Sequence, residues 1–357
     1  MKTQKIIPEE FREYYFNTVC ELMSRPSPSG YHREVAPLIE RLAGEVGCRF
    51  ERTAKGGFLL TYPGRSSDSP IGACAHCDTL GAMVRSIDAD GGLALSSIGG
   101  PIWATLDGEY CTVITREGKK YSGTILSRSP AVHVYPDAAA RKRDPDNMYV
   151  RLDEVVASAA DVRALGIDTG DYICFDPKTT VTPSGFLKSR FIDDKASVAC
   201  LLTAAHVMHE AGFVPEHDIK IVFTMYEEIG HGGACMPAVS EMLGVDMGCV
   251  GLDLACTEHD VSICVKDSGG PYDYDLTSRL ISLAKGAELS YAADIYPFYG
   301  SDIGAMWRGG ADIPGALIGP GVHASHGMER THFDGIANTI ALILLYFGFD
   351  IPCTEAV

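Results

Sequence analysis

The chain has 357 residues, 46% of them hydrophobic and 22% charged, with a formal net charge of −17. That balance suits a globular protein of one large or two medium domains, and it argues against nucleic acid or an anionic membrane as partner, since both bind through surplus Lys and Arg. No apolar run approaches the roughly 18 residues of a membrane span, and the N-terminal segment lacks the apolar core of a signal peptide. A cytoplasmic location with reduced thiols is therefore expected for the 12 cysteines.

Residues 9–24 carry the spacing of an amphipathic helix, stopped by Pro26, Pro28 and Gly30, and a second helix is expected over about 31–46. Two apolar runs, 57–62 and 71–76, are each bounded by turn residues and predict buried strands. From about 84 to 183 the texture changes to short alternating segments, such as 83–87, 111–115 and 172–175, which reads as a β-rich insert. Within it, the charged stretch 137–145 reads as solvated. Apolar residues from Ala196 to Met208 then recur at helical spacing, and Gly212 is a suitable stop. Further apolar runs at 219–226, 247–253 and 315–319 predict strands, with a last helix at about 334–348. Strands alternating with helices imply an α/β sheet with helices on its faces.

The chemistry concentrates at the ends of these runs. Asp193 and Asp194 adjoin at the start of the 196–208 helix. One aspartate there is an ordinary cap. Two repel unless a cation lies beside them, so capping and metal binding both stand at this point. His76 and Asp78 end the 71–76 strand, where residues two apart point to the same side. His76 could ligate a metal while Asp78 accepts the other imidazole N–H, although a lone His-x-Asp is a weak signal. Glu227 and Glu228 terminate the 219–226 strand, where unpaired charge is costly. One carboxylate on a metal and the other free to move a proton would remove that conflict. Asp253 sits in apolar sequence, with a cap or turn as its bland reading. The segment 321–332 holds His323, His326 and His332, and the residues alone do not select among them. His231 and His259 read as structural or solvated. Cys74 and Cys77 form a CxxC without the second CxxC that a four-thiolate site needs. Two histidines and three acidic ligands make the inventory of a two-metal hydrolase.

In order and spacing the chain resembles the co-catalytic metalloaminopeptidases of the glutamyl-aminopeptidase, or cellulase-M-like, family, often called tetrahedral aminopeptidases. The likeness runs through AHCDTLGAMV (75–84), GDYICFDP (170–177), FIDDKAS (191–197), TMYEEIGHGG (224–233), GLDLA (251–255), YGSDIGA (299–305) and SHGMERTH (325–332). It implies a mixed-sheet, three-layer α/β metallopeptidase domain, residues 1–83 plus 184–357, interrupted by a smaller β-rich assembly domain, residues 84–183. It implies two divalent ions per subunit, Zn2+ before Co2+ or Mn2+. By the resemblance, His76 and Asp253 belong to one ion, Asp193 bridges, and Glu228 with the final histidine completes the second site. His326 is chosen for that place because it follows the strand ending near Pro320. Glu227 matches the general base and Asp78 the partner of His76.

The implied activity is removal of N-terminal residues from peptides by a homo-oligomer, possibly a dodecamer. An N-acyl amino acid deacylase or carboxypeptidase would use the same site, while a non-catalytic assembly protein would be expected to lack a ligand or base. Thr79 and Leu80 replace the Glu-Ile usual after the His-x-Asp, and Lys195 stands where Arg is common.

Overall fold

The computed structural model describes residues 9–351. In chain order the elements begin with α1 (Glu9–Met23), α2 (Ala36–Glu45), β1 (Arg49–Arg52), β2 (Phe58–Tyr62) and β3 (Ser66–His76). Then come β4 (Gly81–Ile87), β5 (Leu93–Ile98), β6 (Tyr110–Ile114), β7 (Lys120–Ser127), β8 (Met148–Leu152), α3 (Ala159–Ala164) and β9 (Tyr172–Phe175). They are followed by β10 (Thr180–Val181), β11 (Phe186–Ser189), α4 (Ile192–Glu210), β12 (His217–Thr224), β13 (Met242–Val245) and β14 (Gly248–Cys249). The last are β15 (Val261–Asp267), β16 (Gly270–Pro271), α5 (Tyr274–Gly286), β17 (Tyr291–Ile295), α6 (Asp302–Arg308), β18 (Gly315–Val322), β19 (Glu329–His332) and α7 (Phe333–Tyr346).

The described residues divide into two compact units, those up to Asp78 together with those from Lys178 onward, and Thr79–Pro177. The smaller unit is a closed barrel in the order β4-β5-β8-β7-β6-β9, and closure leaves it no free sheet edge. Strand β4 starts at Gly81, so the boundary expected at 84 cuts through the barrel's first strand. The reason is that the Gly81–Ile87 run follows His76 so closely that no change of texture marks the break.

The larger unit is an α/β domain. Ten of its strands form one mixed sheet whose main path is β1-β2-β12-β3-β13-β18-β15-β16, with β14 paired to β18 and β17 to β15. Strands β12, β3, β13 and β18 are mutually parallel. Strands β12, β13 and β18 are buried along most of their length and β3 is buried toward its carboxyl end, as parallel strands covered by helices are. Helices α4 and α7 pack on β3 and β18. Helix α6 packs through Ile303 and Met306 against Cys74, Val222, Cys264 and Leu317. Among the described residues no helix is long and apolar enough to cross a membrane.

One strand differs from expectation. The run 247–253 does not form a long strand; the sheet takes Met242–Val245 instead, and only Gly248–Cys249 of the later run pairs. Both runs are apolar, and periodicity alone does not say which of two neighbouring short runs enters the sheet.

Candidate metal and catalytic site

Because four parallel strands run the same way, their carboxyl ends share one edge, where open α/β sheets place their sites. His76 ends β3, Asp246 follows β13, Glu227 and Glu228 follow β12, and His326 lies in the loop after β18. Asp193 reaches the same place from the start of α4, where Asp193 and Asp194 depart from helical geometry. The pair therefore does not serve as an ordinary helix cap.

Two triads result. One ligand atom each from His76, Asp193 and Asp246 lie within 4.8 Å of one another, and so do atoms from Asp193, Glu228 and His326. Asp193 belongs to both. Its Oδ1 lies 3.0 Å from His76 Nε2, while its Oδ2 lies 3.6 Å from His326 Nε2. His326 Nε2 is also 3.6 Å from Glu228 Oε2. Glu329 supports the arrangement from below, accepting the backbone N–H of Asp193 at 3.0 Å and of His326 at 2.9 Å.

Asp253 does not join these residues. It is exposed in the turn after β14, and Asp246 stands where that ligand was expected. The cause is the strand exchange already described: Met242–Val245 is the buried strand, so the carboxylate at its end reaches the site. A second correction concerns Asp78. His76 Nδ1 meets the backbone carbonyl of Asp78 at 2.9 Å, whereas the carboxylate is 3.7 Å away. The carboxylate instead accepts the backbone N–H of Glu227 at 3.1 Å and the Ser29 hydroxyl at 2.5 Å. Asp78 therefore positions the turn that carries Glu227.

Of the three histidines near 321–332, His326 faces the cluster, His323 pairs with Arg330 in a β-bridge, and His332 caps α7. Lys195 is buried, and its ammonium donates to the carbonyls of Leu22 and Arg25. That is a scaffold role for the residue standing where Arg is common. The Cys77 thiol is pushed up to about 12 by burial, and Cys74 lies in the core under the sheet. Both are buried, without the exposure of a reactive thiol.

Electrostatics show what the cluster demands. Burial raises the carboxyl of Asp246 to about 7, helped by the charge of Asp193. Burial likewise pushes Glu227 and Glu228 well above the usual carboxylate range, with Asp246 adding to the first and Asp193 to the second. Burial works against charging His76, but the hydrogen bond it donates to Asp193 and the charge of Glu227 win and raise it well above its usual value. Glu228 Oε1, Asp194 Oδ1 and Asp302 Oδ1 are buried without a hydrogen-bond partner among the described residues. Crowded carboxylates with orphaned oxygens and imidazoles are a donor set that fits divalent cations such as Zn2+, Co2+ or Mn2+.

The profile of the M42 glutamyl aminopeptidases matches residues 56–342. The chain belongs to the M42 glutamyl aminopeptidase family. Within this family of aminopeptidases, the YhfE protein of Bacillus subtilis (strain 168) is 45% identical over 330 residues, covering 92% of this chain and 95% of that one. The glutamyl aminopeptidase of Lactococcus lactis subsp. cremoris is 26% identical over 255 residues, covering 66% and 70%. The fold matches that of the TET1 peptidase of Pyrococcus horikoshii, a protein described as assembling into a tetrahedron or a large octahedral shell. The TM-score is 0.81 at 18% identity, covering 94% of this chain and 99% of that one.

The cluster opens into a cleft of about 490 Å3 whose lining includes Glu227, Glu228, Asp246, His326, Tyr299 and Arg308. Asp246 and Glu329 were missed in the sequence. Asp246 carried the same signal as Glu227, a carboxylate ending an apolar run. Glu329 carried none, because its role depends on β19 pairing with β11.

Proposed function

We propose that the chain is a metal-dependent aminopeptidase that removes N-terminal residues from peptides in the cytoplasm. The observation carrying this reading is the placement of Asp193, which belongs to both triads, with one oxygen toward His76 and the other toward His326. These residues would hold two divalent ions, Zn2+ first with Co2+ or Mn2+ as substitutes, and Asp193 would be the shared ligand. Bound there, the ions would supply Lewis-acid polarisation of the scissile carbonyl and ease ionisation of water.

Glu227 is free for the proton. Its carboxylate reaches to 3.7 Å from His76 Nε2 and its backbone is held by Asp78. Burial raises its proton affinity, which suits a group that takes a proton from water and returns it to the leaving amine. Arg308, the one Lys or Arg among the described residues lining the cleft, favours a substrate that carries a carboxylate. The glutamyl activity in the family's name agrees with that. The barrel unit would serve assembly into a homo-oligomer; PhTET1, whose fold this chain shares, is described as a dodecamer.

The test is hydrolysis of aminoacyl amides and their N-acetyl counterparts, before and after chelation, with Zn2+, Co2+ and Mn2+ restored. Metal-restored cleavage of free-amine substrates alone, Glu above Lys and Leu, is expected. Cleavage of blocked substrates would move the assignment to a deacylase. Light scattering on the purified protein reads the oligomer.

A further inference from the structure

A second group of imidazole and carboxylate side chains lies in the α/β unit apart from the cleft. His259 comes from the turn before β15, His332 from the last position of β19, and Asp334 from the first turn of α7. One ligand atom of each lies within 4.8 Å of the others. His259 Nδ1 stands 2.9 Å and His332 Nδ1 3.2 Å from the same oxygen, Asp334 Oδ2. The imidazole centroids are 4.3 Å apart, and the ring of Phe186 meets both edge to face.

The hydrogen bonds set the tautomer of His332. Its Nε2 lies 2.8 Å from the carbonyl of Ser184, and a carbonyl only accepts, so Nε2 carries the proton. Nδ1 then presents its lone pair, and the backbone N–H of Asp334 donates to it at 3.1 Å. Nδ1 also lies 3.2 Å from a carboxylate oxygen, two acceptors that repel unless a second proton or a metal cation joins them, and a cation there would take the lone pair over from the Asp334 N–H. An imidazole whose far nitrogen is tied to a backbone carbonyl is the arrangement that orients metal-binding histidines.

The three segments are held together by the backbone. Asn338 Nδ2 donates to the carbonyl of His259 at 3.1 Å and of Asp334 at 2.8 Å, and His332 N–H donates to the carbonyl of Glu258. A Cβ on Gly335 would meet the Glu258 carbonyl oxygen at 2.5 Å, and one on Gly185 would meet His332 Nε2 at 2.8 Å. Only glycine permits these approaches, so the ligand-bearing atoms are placed before any ion arrives.

We propose that His259, His332 and Asp334 form a cation site separate from the cleft, taking a transition-metal ion such as Zn2+, Ni2+ or Cu2+. Two imidazole nitrogens and one carboxylate oxygen are the donors of borderline ions, whereas Ca2+ and Mg2+ select oxygen. The site has a structural consequence for the reaction centre. Strand β19 is four residues long; His332 ends it, and Glu329, which holds the backbone of Asp193 and His326, begins it. A cation at one end fastens the strand whose other end seats the bridging aspartate.

The experiment compares the full-length protein with His259→Gln and Asp334→Asn, each stripped with chelator and titrated with Zn2+ by calorimetry and with Cu2+ by electron paramagnetic resonance. The wild type is expected to bind one more ion per chain than His259→Gln, or to bind it at least about tenfold more tightly, the loss that even an outer partner of a metal ligand causes. Its Cu2+ spectrum should carry two imidazole nitrogens that His259→Gln reduces to one. Repeating the titration in Asp193→Asn removes the cleft as a competitor, so failure here is separate from failure of the cleft reading. His259 is half exposed, which keeps its variant foldable. Equal stoichiometry, affinity and spectra in all three proteins would show an ordinary His–Asp ion pair and overturn the proposal.

Discussion

In the barrel unit the one buried carboxylate among the described residues is Asp171, and both its oxygens accept backbone N–H groups, from Arg116 at 3.0 Å and from Asp168 at 2.8 Å. In the α/β unit Asp193, Asp194, Asp246, Asp302 and Glu329 are all buried, and several raise one another's proton affinity. The barrel satisfies its buried charge locally, which is how a carboxylate serves a fold. The α/β unit leaves part of its charge uncompensated by protein, which is how carboxylates serve a reaction that brings cations. The difference separates residues that hold structure from residues that hold chemistry, and substitutions in each region test it.

The largest effect is expected at Glu227. Replacement by Gln keeps the shape and removes the base, so kcat should fall by about 10²–10⁴-fold while bound metal, counted by elemental analysis, stays near the wild-type level. Activity near wild type would remove Glu227 from its role. Next comes a pair: Asp246→Asn should lower both metal content and activity, and Asp253→Asn, on an exposed turn, should change neither. The reverse result would restore Asp253 as a ligand.

That pair also marks how far the sequence could be read. The α/β alternation, the insert and the places of His76, Glu227 and Glu228 were legible, because charge at the end of an apolar run is costly and local in sequence, whereas Asp193 and His326 rested on the family resemblance, since the residues alone left capping open at the first and three histidines open at the second. Choosing between Asp246 and Asp253 needed the sheet, since four residues of strand decide it. Asp78 was placed on the right element, but the chain turns after His76 and hands the imidazole a carbonyl in place of the carboxylate. The outer cluster was invisible: His259 and Asp334 lie 75 positions apart, and His259, alone in a loop, read as structural or solvated.

A smaller effect follows from pH. A carboxyl whose folded pKa is raised binds its proton more tightly in the folded state, so its ionisation costs stability once pH passes the unfolded value. For Asp246 that window runs from the ordinary 3.8 to about 7. Chelated protein should therefore lose Tm as pH rises from about 5 to about 8, and added Zn2+ should offset the loss, because metal binds the ionised ligands. A melting temperature in chelator that rises over this range would show that cations are not what the cluster needs.

The finest test uses one substitution in both regions. Asp171→Asn turns an amide N–H toward a backbone N–H that had an acceptor, at a cost of about 1–3 kcal/mol for the donor left unsatisfied. Activity per folded molecule should be unchanged. Asp246→Asn removes a charge that its surroundings oppose while its Oδ1 can still accept the Met247 N–H. In chelator at about pH 8 it should leave the protein as stable as the wild type or more so, although it disables the reaction. Denaturant melts of both variants, with and without metal, read the contrast directly. If Asp246→Asn destabilised the metal-free protein as much as Asp171→Asn does, both carboxylates would be structural and the division between the two units would fall. If instead the two variants separate in opposite directions, the α/β unit holds its carboxylates together at a cost to its own stability.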